Sequence, residues 1–227
     1  MLQRALLSIL LLAMVASRCS GAIIFSETFG TVAGPTSFAA HTGWTNGLGL
    51  TFSGNGDVRG TTQSSGYAGA SASANVFLTN NATARFLQIG NINTAGYDTS
   101  TLNLSLGAFK FTTASDLTNL VVSFSTDGNT FTNLVPAIPA QSTGAGTAVW
   151  RLLTLAPTNL AASSTLSLRF TNTSTTDQVR LDDITLSGTL AASAVPEPSS
   201  LAFLSFVGCS GLAAAFHRRR KVEGSDC

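Results

Sequence analysis

The chain is 227 residues long with 12 basic and 11 acidic side chains, so charge makes up 10% of it against roughly 25% in ordinary globular domains. A net charge of +1 excludes an electrostatic case for nucleic acid. A hydrophobic content of 44% excludes a disordered chain, which needs low hydrophobicity and high net charge.

In chain order, Arg4 is a positive n-region, residues 5–16 are an apolar run, and Ser17, Cys19, Ser20, Gly21 and Ala22 are mostly small. That order predicts a secretory signal over residues 1–22, with cleavage after Ala22 and Ser20 at the −3 position. The implied partners are Sec-type export machinery and a signal peptidase. A lipoprotein signal at Cys19 needs a small residue before the cysteine, and Arg18 stands there.

Residues 23–190 form the expected exported domain, with no cysteine and so no disulfide framework or thiolate zinc site. Apolar residues alternate with Ser, Thr or Asn almost throughout. Strands are expected over residues 23–29, 48–52, 75–79, 85–89, 102–106, 120–124, 148–155, 166–170 and 179–186. Asn55-Gly56 and Asp127-Gly128 mark turns, and residues 64–74 and 140–146 are Ser-, Ala- and Gly-rich loops. No amphipathic helix of convincing length interrupts them. Short strands at this spacing predict an all-β fold, a two-sheet antiparallel β-sandwich.

The C-terminal end changes character. Residues 191–200 are a linker holding Val195, Pro196, Glu197 and Pro198. Residues 201–217 are an apolar segment without charge, and residues 218–227 open with Arg218, Arg219, Arg220 and Lys221. As a helix, its 16-residue run 201–216 would rise about 24 Å, which flanking polar residues and snorkelling arginines extend toward a full span. The basic cluster would hold its end cytoplasmic.

Pro-Glu-Pro, a short apolar helix and a basic stop, in that order, resemble the C-terminal sorting signal of PEP-CTERM proteins. The resemblance implies that Val195, Pro196, Glu197 and Pro198 are read by an exosortase-like membrane enzyme. It further implies that the helix is transient, and that the mature protein resides at the bacterial surface or in the extracellular matrix. A plain C-terminal anchor would explain the helix and the arginines but not the Pro-Glu-Pro.

Within the domain, Phe25-Ser26-Glu27-Thr28-Phe29, Thr42-Gly43-Trp44, the hairpin at residues 124–128 and Arg180-Leu181-Asp182-Asp183-Ile184 resemble landmarks of jelly-roll sandwiches. Carbohydrate-binding modules and galactose-binding-like or MAM-like domains share that architecture. The resemblance implies a structural Ca²⁺ ligated by Glu27 and Asp182, for which carboxylate oxygens are suited. Read from the residues alone, Asp182 shares a strand face with Arg180, Ile184 and Leu186 and points inward, and pairing with Arg169 or Arg180 is the alternative to a cation. Tyr67 and Tyr97, in Gly-rich loops, are the candidate sugar contacts; Trp44 and Trp150 read as core. His41 is the only histidine of the domain, without a local nucleophile motif. The expected function is a non-enzymatic, structural or adhesive sandwich. The first alternative is a carbohydrate-binding module for exopolysaccharide, marked by an exposed aromatic strip on one sheet face. The second is a hydrolase, marked by two facing carboxylates about 5–10 Å apart, or by His41 beside a serine and an acid.

Overall fold

A computed structural model describes residues 21–191 except Leu48. Residues 1–20 of the expected signal segment, the Pro-Glu-Pro motif, the apolar run and the basic cluster lie outside the described residues, while Ala22 of that segment opens the first strand. Within them, period-two alternation yields twelve strands and a single 3₁₀ turn, Thr99–Thr101. The strands are β1 (Ala22–Glu27), β2 (Thr36–Ser37), β3 (Thr51–Gly54), β4 (Asp57–Arg59), β5 (Asn75–Leu78), β6 (Arg85–Ile92), β7 (Asn103–Lys110), β8 (Leu120–Ser125), β9 (Thr132–Asn133), β10 (Trp150–Leu155), β11 (Leu166–Asn172) and β12 (Val179–Gly188). The nine expected strands are present; β2, β4 and β9 are additional, and with two or three residues each they are too short to show alternation.

The strands form two antiparallel sheets. The larger runs β10-β7-β12-β5-β4-β2, with β1 also on β12; the smaller runs β3-β6-β11-β8-β9. Leu104, Leu106, Leu153, Leu181 and Leu186 of the larger sheet join Leu87, Ile89, Val122, Leu168 and Phe170 of the smaller in one buried cluster. The sheets therefore face each other across a shared core, as in a β-sandwich. Each buried aliphatic side chain contributes roughly 2 kcal/mol, whereas a ladder hydrogen bond nets about 1. The core thus supplies most of the cohesion between layers.

The two Gly-containing turns do different jobs. Residues 126–129 close the β8–β9 hairpin, where the Asp127 carboxylate accepts from the backbone N–H groups of Asn129 and Thr130, both at 2.8 Å. Residues 54–57 carry the chain from β3 in the smaller sheet to β4 in the larger, so this turn joins the layers.

Strand β12 organises the larger sheet. One edge pairs with β7; the other pairs first with β5, through Val179–Leu181, and then with β1, through Ile184–Gly188. Between these stretches the register against β7 slips by one residue, between Asp182 and Thr185, and Asp183 adopts a left-handed backbone with φ of 50°. This is a β-bulge, which reverses the side-chain alternation beyond it.

Candidate functional site

The outward face of the larger sheet is aromatic. Leu104, Leu106 and Ala108 of β7 and Leu153 and Leu155 of β10 point into the core, which sends Phe109, Trp150 and Leu152 outward. Register places Trp150, Phe109, Arg180, Phe77 and Asp57 side by side across five strands. Trp150 and Phe109 lie 5.6 Å apart between ring centroids, and Phe109 meets Phe111 edge-on at 6.4 Å. Phe77 lies beneath two guanidinium groups, Arg59 at 3.7 Å and Arg180 at 4.8 Å from its centroid. Arg59 in turn forms a bidentate pair with Asp57, at 2.7 and 2.9 Å. Phe111, Leu152 and Val149 are 47%, 44% and 42% exposed.

A loop following β4 folds over this face and makes a cleft with it. The cleft has a volume of about 500 Å³ and is lined by Phe109, Ala148, Val149 and Trp150 on one side and by Thr62, Gln63, Ser65 and Gly66 on the other. None of these lining residues is charged. The Trp150 indole N–H donates to the Thr62 carbonyl at 3.2 Å, which joins wall to floor. Arg180 donates to the Thr61 carbonyl and to the Asn75 side-chain oxygen, both at 2.9 Å.

The same loop is tied down at the bulge. Tyr67 donates its hydroxyl to Asp183 Oδ2, and its ring end occupies the space above Gly107, where an added Cβ would collide with the hydroxyl. The Ser71 backbone N–H donates to the same Asp183 oxygen at 3.2 Å, and the Asp183 N–H donates to Asp182 Oδ1 at 2.8 Å. Asp182 is fully buried. Burial, reinforced by the adjacent Asp183, pushes its carboxyl up to about 7. Burial and the Asp183 bond raise the Tyr67 hydroxyl above its ordinary value, so it stays a donor.

The bulge corrects the inward placement of Asp182. Val179 and Leu181 face the core before it, Ile184 and Leu186 after it, so Asp182 shares the outward face with Arg180. The signal was in the spacing: apolar positions 179, 181, 184 and 186 step by two, three and two, and the three is the bulge.

Glu27 and Asp182 are not brought together. Glu27 is opposite Ile184 and shares its core-side face. Its carboxylate accepts the backbone N–H groups of Phe29, Thr45 and Asn46 and the Thr45 hydroxyl, at 2.7 to 3.0 Å. Its charge is thereby satisfied by donors, and the pair does not fit a shared Ca²⁺. Among the described residues no group of three or more His, Cys, Asp or Glu is placed to hold a metal ion. Arg pairing of Asp182 is not formed either: Arg169 bonds Gln88 and Arg180 bonds Thr61 and Asn75.

The tyrosines lie apart. Tyr67 is committed to Asp183, and Tyr97 packs against the core and bridges to Leu190. The ring that floors the cleft is Trp150, which is buried as expected, at 7% exposure, but on the outward side of the sheet beneath the loop and outside the cluster between the sheets. Trp44 does pack against the core, stacked on Phe52 at 3.9 Å. His41 sits edge-on to Trp44 at 4.6 Å with Nε2 unpartnered, and burial lowers its pKa; no serine or acid is hydrogen-bonded to that nitrogen.

No family model matches the chain, and no curated protein matches it. Solved structures do show similarity. A xylan-binding domain from Paenibacillus barcinonensis is 15% identical with a TM-score of 0.40, over 78% of this chain and 100% of that one. The K3 cleaved adhesin domain of Lys-gingipain from Porphyromonas gingivalis is 12% identical with a TM-score of 0.39, over 73% and 98%. The K2 cleaved adhesin domain of Lys-gingipain is 18% identical with a TM-score of 0.44, over 71% and 98%.

Proposed function

We propose that the chain is an exported, non-catalytic β-sandwich that attaches to a neutral glycan through the outward face of its larger sheet. The supporting observation is the cleft between Trp150 and Phe109 and the Thr62–Gly66 wall. An apolar aromatic floor suits the C–H face of a pyranose ring, and an uncharged wall of amide and hydroxyl groups suits its equatorial hydroxyls. The apolar fringe of Phe111, Leu152 and Val149 lengthens the contact beyond a single ring, as a polymer requires. In this reading, the Pro-Glu-Pro signal at Val195–Pro198 delivers the sandwich to the surface or the extracellular polymer, where attachment is its task.

The test is a panel of neutral oligosaccharides titrated onto the full-length chain. Gln63→Ala changes an exposed wall residue and Phe109→Ala removes part of the floor. Each is expected to weaken the retained glycan about tenfold, equivalent to roughly 1.4 kcal/mol. Absence of any neutral ligand, or wild-type affinity in both variants, would refute the reading. The delivery step has its own readout. Mass spectrometry of secreted protein should find a C-terminus within residues 195–200, and recovery of an intact Arg218–Cys227 tail outside the cell would overturn it.

A further inference from the structure

The outward face of the smaller sheet is built on a different plan. Register aligns Ser53, Gln88, Arg169, Ser123 and Asn133 in one row across its five strands. The flanking rows hold Thr51, Gly90, Ser167 and Ser125 on one side and Phe86, Thr171 and Val121 on the other. Arg169 is the single charge in this field of hydroxyl and amide groups.

That guanidinium is held from three directions. Its centre lies 3.6 Å from the ring centroid of Phe131 and 4.7 Å from that of Phe86. Nε and one terminal nitrogen, Nη2, both donate to the Gln88 side-chain oxygen, at 3.2 and 2.7 Å. The other terminal nitrogen, Nη1, has no hydrogen-bond partner among the described residues and is not one of their buried atoms left without a partner. The only ion pair among the described residues joins Arg59 and Asp57, which leaves Arg169 without a carboxylate although partial burial disfavours its charge.

A cation desolvated in part, immobilised by two rings and an amide, and given no counter-ion has already lost the rotamer freedom that anion binding would cost. What remains is a planar N–H edge, the geometry that matches a carboxylate. We infer that Arg169 is the receptor for the carboxylate of an acidic polysaccharide, one sugar acid per site, with the exposed Thr51, Ser53 and Asn133 side chains meeting its hydroxyls. A single fixed charge among hydroxyl and amide groups matches a uronic acid, which carries ring hydroxyls beside its carboxylate, better than an acidic peptide, which does not. This site is on the sheet opposite the neutral-glycan cleft and stands or falls separately from it.

The experiment titrates the full-length chain with oligogalacturonate and, in parallel, with a neutral galactose oligomer and a Glu-rich peptide. Wild-type protein is expected to bind the uronate, and to weaken as ionic strength rises from about 0.05 to about 0.5 M. Arg169→Gln is expected to lose at least tenfold, and Arg169→Lys most of that, because an ammonium keeps the charge but not the planar fork. Binding of the neutral oligomer that falls with Arg169→Gln as the uronate's does, equal binding of the peptide, no binding of the uronate, or an unchanged Arg169→Gln would overturn the inference. Should Arg169→Gln fail to fold, Arg169→Lys and the salt dependence decide the matter.

Discussion

Asp182 holds its proton into the neutral range because it is walled in beside a second carboxylate with no cation among its partners. The unfolded chain releases that proton near the ordinary Asp value, so between roughly pH 4 and 7 the native state binds more protons than the unfolded one. The sign follows: stability from this residue is complete below about pH 4 and is lost as pH rises through about 7. The loss is about 4 kcal/mol at most. Asp98, Asp116 and Asp127 act oppositely, since hydrogen bonds from neighbouring Ser and Thr groups hold their carboxyls below the usual range and their contribution fades in acid. Thermal melts should therefore peak near pH 4–6, and Asp182→Asn should raise the melting temperature at pH 8 but not at pH 5. A second residue-scale prediction concerns Gly107. Gly107→Ala would drive the Tyr67 hydroxyl off Asp183 at a cost of about 2–3 kcal/mol. That is a fall of roughly 5–10 °C in melting temperature; Tyr67→Phe, which keeps the ring, should lose less.

At the scale of elements, Lys110 ends β7 on its core-facing side, fully buried, and donates to the backbone carbonyls of Ser115 and Ser142. One ammonium thus fastens two loops, residues 111–118 and 140–148, that have no strand of their own. Lys110→Met should leave both carbonyls unsatisfied and destabilise the fold by about 2–4 kcal/mol, visible as loss of melting temperature and early proteolysis in those loops. The sequence discloses the strands, because alternation is a local signal, but not Lys110, whose partners are 5 and 32 residues away. The cleft floor was half legible. In β7, Leu104, Leu106 and Ala108 take one parity while Phe109, with Phe111 just past the strand end, takes the other, and large apolar residues on both parities mark a strand with two occupied faces. The wall over it was not legible, since a Ser- and Gly-rich loop does not announce which face it covers.

At the scale of the molecule, the two outward faces divide the labour that composition blurs. Ser and Thr side chains predominate on the outward side of the smaller sheet and aromatic ones on that of the larger, with Trp150, Phe77, Ser123, Ser125 and Ser167 all buried. Residues 23–190 carry six basic and eight acidic residues, so the overall +1 comes from the terminal segments. Pairing order is the part no pattern reveals, and here it has a temporal consequence. β12 is the last strand and borders β7, β5 and β1, so the larger sheet lacks its centre until residues 179–188 exist. Truncation after residue 178 should abolish near-ultraviolet circular dichroism entirely, without leaving a folded fragment. A chain emerging from a ribosome or threading through a membrane pore would stay open for almost its whole length and close in one late event. On the proposed export route, the position of the most connected strand acts as a clock.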